Sequence, residues 1–227
     1  MSFDASPIDW DDPRSAYRKS RSLLTRLGNS PDTLGALVRG IGENETLLAD
    51  CDRHPVMDRL TLYRDDARGI YLRLHVSQGM NEIMPHDHKY GFTTMILRGS
   101  YTHVWRRRTG ALNGEFTSAE IEPGLVTVER PGSCYCLQHT QVHQTIMERD
   151  TVTLFLRGPR RQERSYAAVD MLQTYMETYA AQAPEEIRDG VFNGSHTFQS
   201  HTEMNRRMSF EEYFGLSARL TAMGVIR

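Results

Sequence analysis

The chain has 227 residues, 27 Lys and Arg against 29 Asp and Glu, a formal net charge of −2 and 39% apolar residues. That is ordinary globular usage for one large domain, and the charge balance gives no electrostatic reason to expect a nucleic-acid or anionic-membrane partner. Three cysteines, Cys51, Cys134 and Cys136, are too few for a disulfide framework, and Cys134-x-Cys136 lacks the second pair of a structural zinc site.

The acidic N-terminus, MSFDASPIDWDDP, is no signal peptide, and no apolar run is long enough for a membrane span, so a cytoplasmic protein is expected. Asp12 can cap a helix opening with Pro13. Tyr17, Leu23, Leu24 and Leu27 then follow at helical spacing, and Gly28 ends the run. Ser30-Pro31 opens a second helix carrying Leu34, Leu37, Val38 and Ile41, weakened by Gly35, Gly40 and Gly42.

From about residue 56 to 160 the pattern changes to strands. Alternating or continuous apolar runs cover 59–64, 69–77, 92–97, 100–107, 116–122, 125–129, 133–138, 142–147 and 151–157. Turn signals separate them, among them Gly99, Asn113-Gly114, Pro123-Gly124 and Pro131-Gly132. Evenly spaced short strands predict a sandwich or jelly-roll barrel. Helix returns after 160: a run over 165–183 with Val169, Leu172, Tyr175, Met176 and Tyr179 on one face, a polar loop over 189–207, and a last helix opened by the capping box Ser209 to Glu212, with Gly224 near its end. The expected organisation is a helical lead-in over 1–55, a β-barrel over 56–160 and a helical extension over 161–227. Asn193-Gly194-Ser195 matches a glycosylation sequon, read as chance without a secretory signal.

The chemistry lies in MPHDHKYGFTTMILRGS, residues 84 to 100. On an extended chain His86 and His88 project to the same side, so both imidazoles can reach one metal ion. A third ligand from a neighbouring strand would leave open coordination positions, and neutral imidazole suits iron, copper, nickel and zinc. His143, inside the strand-like VHQTI, is the preferred third ligand, with His139 the alternative. His54, His75, His103, His196 and His201 are expected to be ordinary surface or core residues. Cys134 and Cys136 flank the approach to His139 and are expected to be buried small hydrophobes rather than soft ligands.

The stretch from Gly79 through His86, His88 and Phe92 to Gly99 resembles the first motif of the cupin superfamily, and the stretch from Pro131 to His143 resembles its second. The resemblance covers about residues 56 to 160 and implies a cupin jelly-roll (double-stranded β-helix), mainly β, with helices at both ends. Metal cupins usually carry a glutamate shortly after the histidine pair; Phe92 and Thr93 stand there, which favours a three-histidine site. The HDH tripeptide, the helical lead-in and the ending LFLRGP are similar to the cysteine dioxygenase (thiol dioxygenase) branch. That likeness implies an Fe(II) dioxygenase, with Zn, Mn and Ni as alternative metals. It also implies a small thiol- or carboxylate-bearing substrate, O2 as co-substrate, and an arginine for the carboxylate: Arg59, with Arg64 as alternative.

The branch's cysteine–tyrosine cross-link has no counterpart here. Phe92 or Thr93 and Arg157 hold those positions, so cysteine itself is not the expected substrate. Arg157 would bind an anionic group if its face of the strand meets the cavity, and Arg73 and Arg98 raise the same question. Tyr90 and Tyr101 can supply hydroxyls near the metal. The rival functions are a non-catalytic metal- or ligand-binding cupin, its helical flanks serving a partner or a homodimer, and a zinc or manganese cupin isomerase or lyase.

Overall fold

A computed structural model describes residues 8–79, 82–171 and 205–227. Three helices lead, α1 (Pro13–Gly28), α2 (Pro31–Gly42) and the short α3 (Glu45–Ala49). Asp12 caps α1 by accepting the Arg14 amide at 2.9 Å, and Asn44 does the same for α3 from Thr46 and Leu47. Then come β1 (Asp52–Arg53), β2 (Met57–Asp65), β3 (Ile70–Ser77), β4 (Glu82–His86), β5 (Tyr90–Arg98), β6 (Tyr101–Arg108), β7 (Ile121–Glu129), β8 (Cys134–Leu137), β9 (Val142–Met147) and β10 (Val152–Arg160). A two-residue β11 (Arg206–Arg207) and α4 (Phe210–Ala222) end the chain. The architecture is thus mainly antiparallel β with helices at both ends, as expected.

Two antiparallel sheets form. One runs β11-β1-β2-β3-β10-β5-β8 and the other β4-β9-β6-β7. They are not closed into a barrel, which corrects that part of the jelly-roll expectation. The chain changes sheet at bends, between His86 and Tyr90 and again between Leu137 and Val142, so loops and side chains join the layers instead of a continuous ladder. A single backbone bond, His88 N to His139 O at 3.3 Å, ties these two crossing loops together.

Strand alternation assigns the faces of the larger sheet. Leu60, Leu72, Leu74, Leu154 and Leu156 are wholly buried and pack against Leu24, Leu34, Val38 and Ile41 of the leading helices and Leu216 and Leu220 of α4. The intervening residues Arg59, Arg73, His75, Thr153, Phe155 and Arg157 line a cavity facing the smaller sheet. Which side Arg73 and Arg157 occupy is therefore settled; Arg98 is exposed at its strand end. Gly35 has a packing role that its low helix propensity hid: a Cβ there would lie 1.9 Å from the Arg227 carbonyl oxygen, so the chain end can lie on α2 only over a glycine. Gly158 is similar, since a Cβ would come within 2.3 Å of the Trp10 ring.

Other expectations shift in detail. The runs over 116–122 and 125–129 are one strand from Ile121, because Pro123-Gly124 continues β7 instead of turning. Pro123 sits on the sheet's edge strand, where its missing N–H costs little, and a bulge faces it between Val104 and Arg106. The helix expected over 165–183 does not form in its described part. Ala167 and Ala168 make isolated bridges to His86 and Phe116, and Val169–Met171 is a single 3-10 turn. The rest of that helix, most of the loop over 189–207, His196, His201 and the sequon lie outside the described residues. No described helix is long and apolar enough to cross a membrane.

Candidate metal centre

His86 ends β4, His88 lies on the bend that follows, and His143 sits on β9 directly opposite His86 in the ladder. One ring nitrogen from each lies within 4.8 Å of those of the other two. The ring centroids of the three pairs are 4.7 to 4.9 Å apart. His139 is not among the converging groups; it sits on the loop before β9 and contributes its carbonyl to the His88 amide.

Hydrogen bonds select the nitrogen each ring offers. His86 Nδ1 is 2.9 Å from the Met84 carbonyl, so Nδ1 carries the proton and Nε2 is left with its lone pair. His143 Nδ1 is 2.8 Å from His103 Nε2. The Nε2 atoms of His88 and His143 face each other at 2.6 Å. Burial, with the neighbouring imidazoles behind it, pushes the His88 and His143 pKa values well down, so both rings stay neutral at physiological pH. Neutral imidazoles converging through Nε2 are the donor set that a first-row divalent metal takes.

The bend is held from below. Asp87, wholly buried between the two histidines, accepts from the Tyr166 amide at 2.7 Å and from Gln162 Nε2 at 2.9 Å. Arg108 Nη1 stands 3.5 Å away. The Asp87 amide returns a bond to the Tyr166 carbonyl, and the Ala168 amide donates to Pro85 O. Residues 162–168 therefore strap the ligand loop to the body.

The cavity beside the histidines has a volume of about 430 Å³, within the usual range of small-molecule sites. Phe92, Phe155 and Tyr90 form its aromatic wall: Phe92 lies 4.7 Å from His88 and 4.8 Å from Phe155, whose ring stacks on His75 at 4.6 Å. The Tyr101 and Tyr135 hydroxyls bond each other within it. Arg59 lines the cavity, but its Nε donates to Asp52 at 2.6 Å. Arg64 is committed to Asp50 and Asp66. Arg157 lies between the rings of Tyr71 and Tyr90, at 3.7 and 4.7 Å. The Lys89 ammonium is held below its ordinary pKa by burial and then by the charges of Arg160 and Arg157.

Three site residues escaped the sequence. Glu82 stands upstream of the histidines, yet its Oε2 is 4.0 Å from His86 Nε2 and accepts from Thr145 Oγ1 at 3.3 Å. A carboxylate therefore stands beside His86 from before the pair, outside the three converging groups. His103, expected to be an ordinary core residue, is buried against His143 and has Glu129 Oε1 3.7 Å from its Nδ1. Its signal was parity, since Tyr101, His103 and Trp105 share the inner side of β6. Tyr135 came in through the β5–β8 ladder, opposite Thr94. Cys134 and Cys136, by contrast, pack against the helix side of the sheet, away from the histidines.

No family model matches this chain, and no curated protein matches it. Among solved structures it is similar to KdgF from a Halomonas species: 17% identity, 48% of this chain and 86% of that one, TM-score 0.36. An RmlC-like cupin from Shewanella frigidimarina is 10% identical over 49% of this chain and 85% of its own, TM-score 0.36. The DMSP lyase DddQ from Ruegeria pomeroyi is 13% identical over 48% of this chain and 50% of its own, TM-score 0.35. Each likeness is confined to about half of this chain, and the chemistry in those names belongs to those proteins alone.

Proposed function

We propose that this chain is a cupin-type, non-haem iron(II) dioxygenase that acts on a small thiol- or carboxylate-bearing metabolite, with O2 as co-substrate. The observation that carries this reading is the convergence of three imidazoles inside an open cavity. A non-catalytic binding role would fit a plugged cavity better. When bound at His86, His88 and His143, iron(II) supplies the redox chemistry that activates dioxygen.

The protein's own groups do the rest. Met84 O and His103 Nε2 accept the Nδ1 protons of His86 and His143, which keeps both Nε2 lone pairs facing inward. Arg157, clamped between two tyrosine rings, holds an anionic substrate group. Phe92 and Phe155 exclude water from the side of the cavity where the substrate body lies. Tyr90 fixes the Arg157 guanidinium through its ring face.

Glu82 favours a second reading. A carboxylate beside His86 adds an oxygen donor, and a three-histidine, one-carboxylate set also suits zinc or manganese acting as Lewis acid in an isomerase or lyase. Elemental analysis of protein purified without oxygen separates the two, run beside a His86→Ala/His88→Ala variant. Near-stoichiometric iron that the variant loses supports the dioxygenase, and zinc or manganese lost in the same way supports the Lewis-acid enzyme. A protein that takes up no metal, even after reconstitution, overturns both.

A further inference from the structure

Most arginines on the cavity side of the larger sheet have a carboxylate: Arg59 and Arg73 share Asp52, and Arg64 has Asp50 and Asp66. Lys89, Arg157 and Arg160 do not. All three line the cavity, and none makes an ion pair with a carboxylate of the described residues. Among the described residues Arg157 Nη1 donates to the carbonyls of Gly69 and Gly158, and Arg160 Nε to that of Gln162. Three like charges on one rim repel one another, an arrangement that an anionic ligand relieves.

The backbone brings them there. Residues three apart on a regular strand point to opposite faces. The ladder between β10 and β5 shifts register between Arg157 and Arg160, and this irregularity lets both reach the same cavity. Arg160 pairs with Tyr90, the residue after Lys89. Two ring faces and two carbonyls hold the Arg157 guanidinium in place before any ligand arrives, so little side-chain freedom remains to be lost on binding.

We propose that Lys89, Arg157 and Arg160 form an anion subsite that selects a dianionic group, a phosphate ester or a pair of neighbouring carboxylates, over a monocarboxylate. The Tyr90 ring lies 6.3 Å from that of His88 and 4.7 Å from the Arg157 guanidinium, so one ring separates the subsite from the histidines. A ligand that spans both is a short-chain dianion. Its role as a substrate rests on the proposed metal chemistry; its binding to the cations does not.

The test is calorimetric titration of the full-length, metal-free protein at low salt with inorganic phosphate, succinate, malonate and acetate. At least one dianion is expected to bind about tenfold or more tighter than acetate. The phosphate and dicarboxylate arms identify which dianion the subsite takes. Lys89→Gln and Arg160→Gln, both at partly or fully exposed positions, should each weaken that dianion roughly three- to tenfold without moving the thermal midpoint. Acetate binding as tightly as every dianion, no saturable binding of any anion, or dianion binding unchanged in both variants overturns the subsite. The His86→Ala/His88→Ala variant keeps the two questions apart. Dianion binding retained there supports the subsite even if the metal centre fails, while an intact metal centre without dianion binding overturns the subsite alone.

Discussion

At the scale of single residues, this protein separates groups of the same type by environment. Burial pushes the Cys51 thiol up to about 11 and Cys134 up to about 12, and raises Cys136 as well. A thiol with a raised pKa stays protonated, so none of the three is a thiolate at pH 8. Ellman's reagent at that pH should find no reactive thiol in the native protein and three after denaturation; a rapid native reaction would place a cysteine in contact with solvent. The His88 and His143 imidazoles are shifted downward by the same burial and remain neutral, which is the state a metal requires. His86 and His88 are legible in the sequence because period two is a local property of an extended chain. Glu82 shares the strand and parity of His86, four residues before it, and escaped because the acidic group is expected after the pair. His103 was not legible, since the ladder between β6 and β9 brings it to His143.

At the scale of elements, the start of α4 shows how a local signal becomes a tertiary tie. Ser209 accepts the Glu212 amide, and Glu212 accepts the Ser209 amide at 2.9 Å. Glu212 also meets Arg206 and Arg53, which joins the helix to β11 and β1. Arg206 first, then the Ser209 amide and Arg53, hold the Glu212 carboxyl well below its usual 4.5. A depressed carboxyl stabilises the fold above its unfolded pKa and loses that contribution as pH falls. Glu212→Gln keeps the cap but not the charge, so it should cost up to about 1 kcal/mol at pH 7, the exposed setting limiting the effect. The deficit should shrink as pH drops below 4.5. Urea denaturation of both proteins at pH 7 and pH 3 measures it, and an equal deficit at the two values would refute the charge argument.

Across the whole molecule, the ligand bend depends on a strap from much later in the chain. Asp87 and Arg108 have side chains only 0% and 2% exposed, and Tyr166 and Gln162 complete the satisfaction of Asp87. Asp87→Ala leaves the buried Arg108 guanidinium with carbonyl acceptors but no carboxylate, and the Tyr166 amide and Gln162 without their acceptor, which should cost about 3 kcal/mol. Chemical denaturation checks the number. Metal affinity should fall in parallel, because the bend between His86 and His88 loses its anchor.

The sequence by itself determined the strand and helix periods, the caps at Asp12 and Ser209 and the paired histidines. All of these follow from spacing along one chain segment. Only the tertiary structure decided which histidine completed the set and that His103 backs it. It alone assigned the partners of Arg59 and gathered Lys89, Arg157 and Arg160 on one rim. Each of those depends on the register between strands far apart in sequence and on one bulge, and a single-residue shift in that register would turn the same side chains to the opposite face.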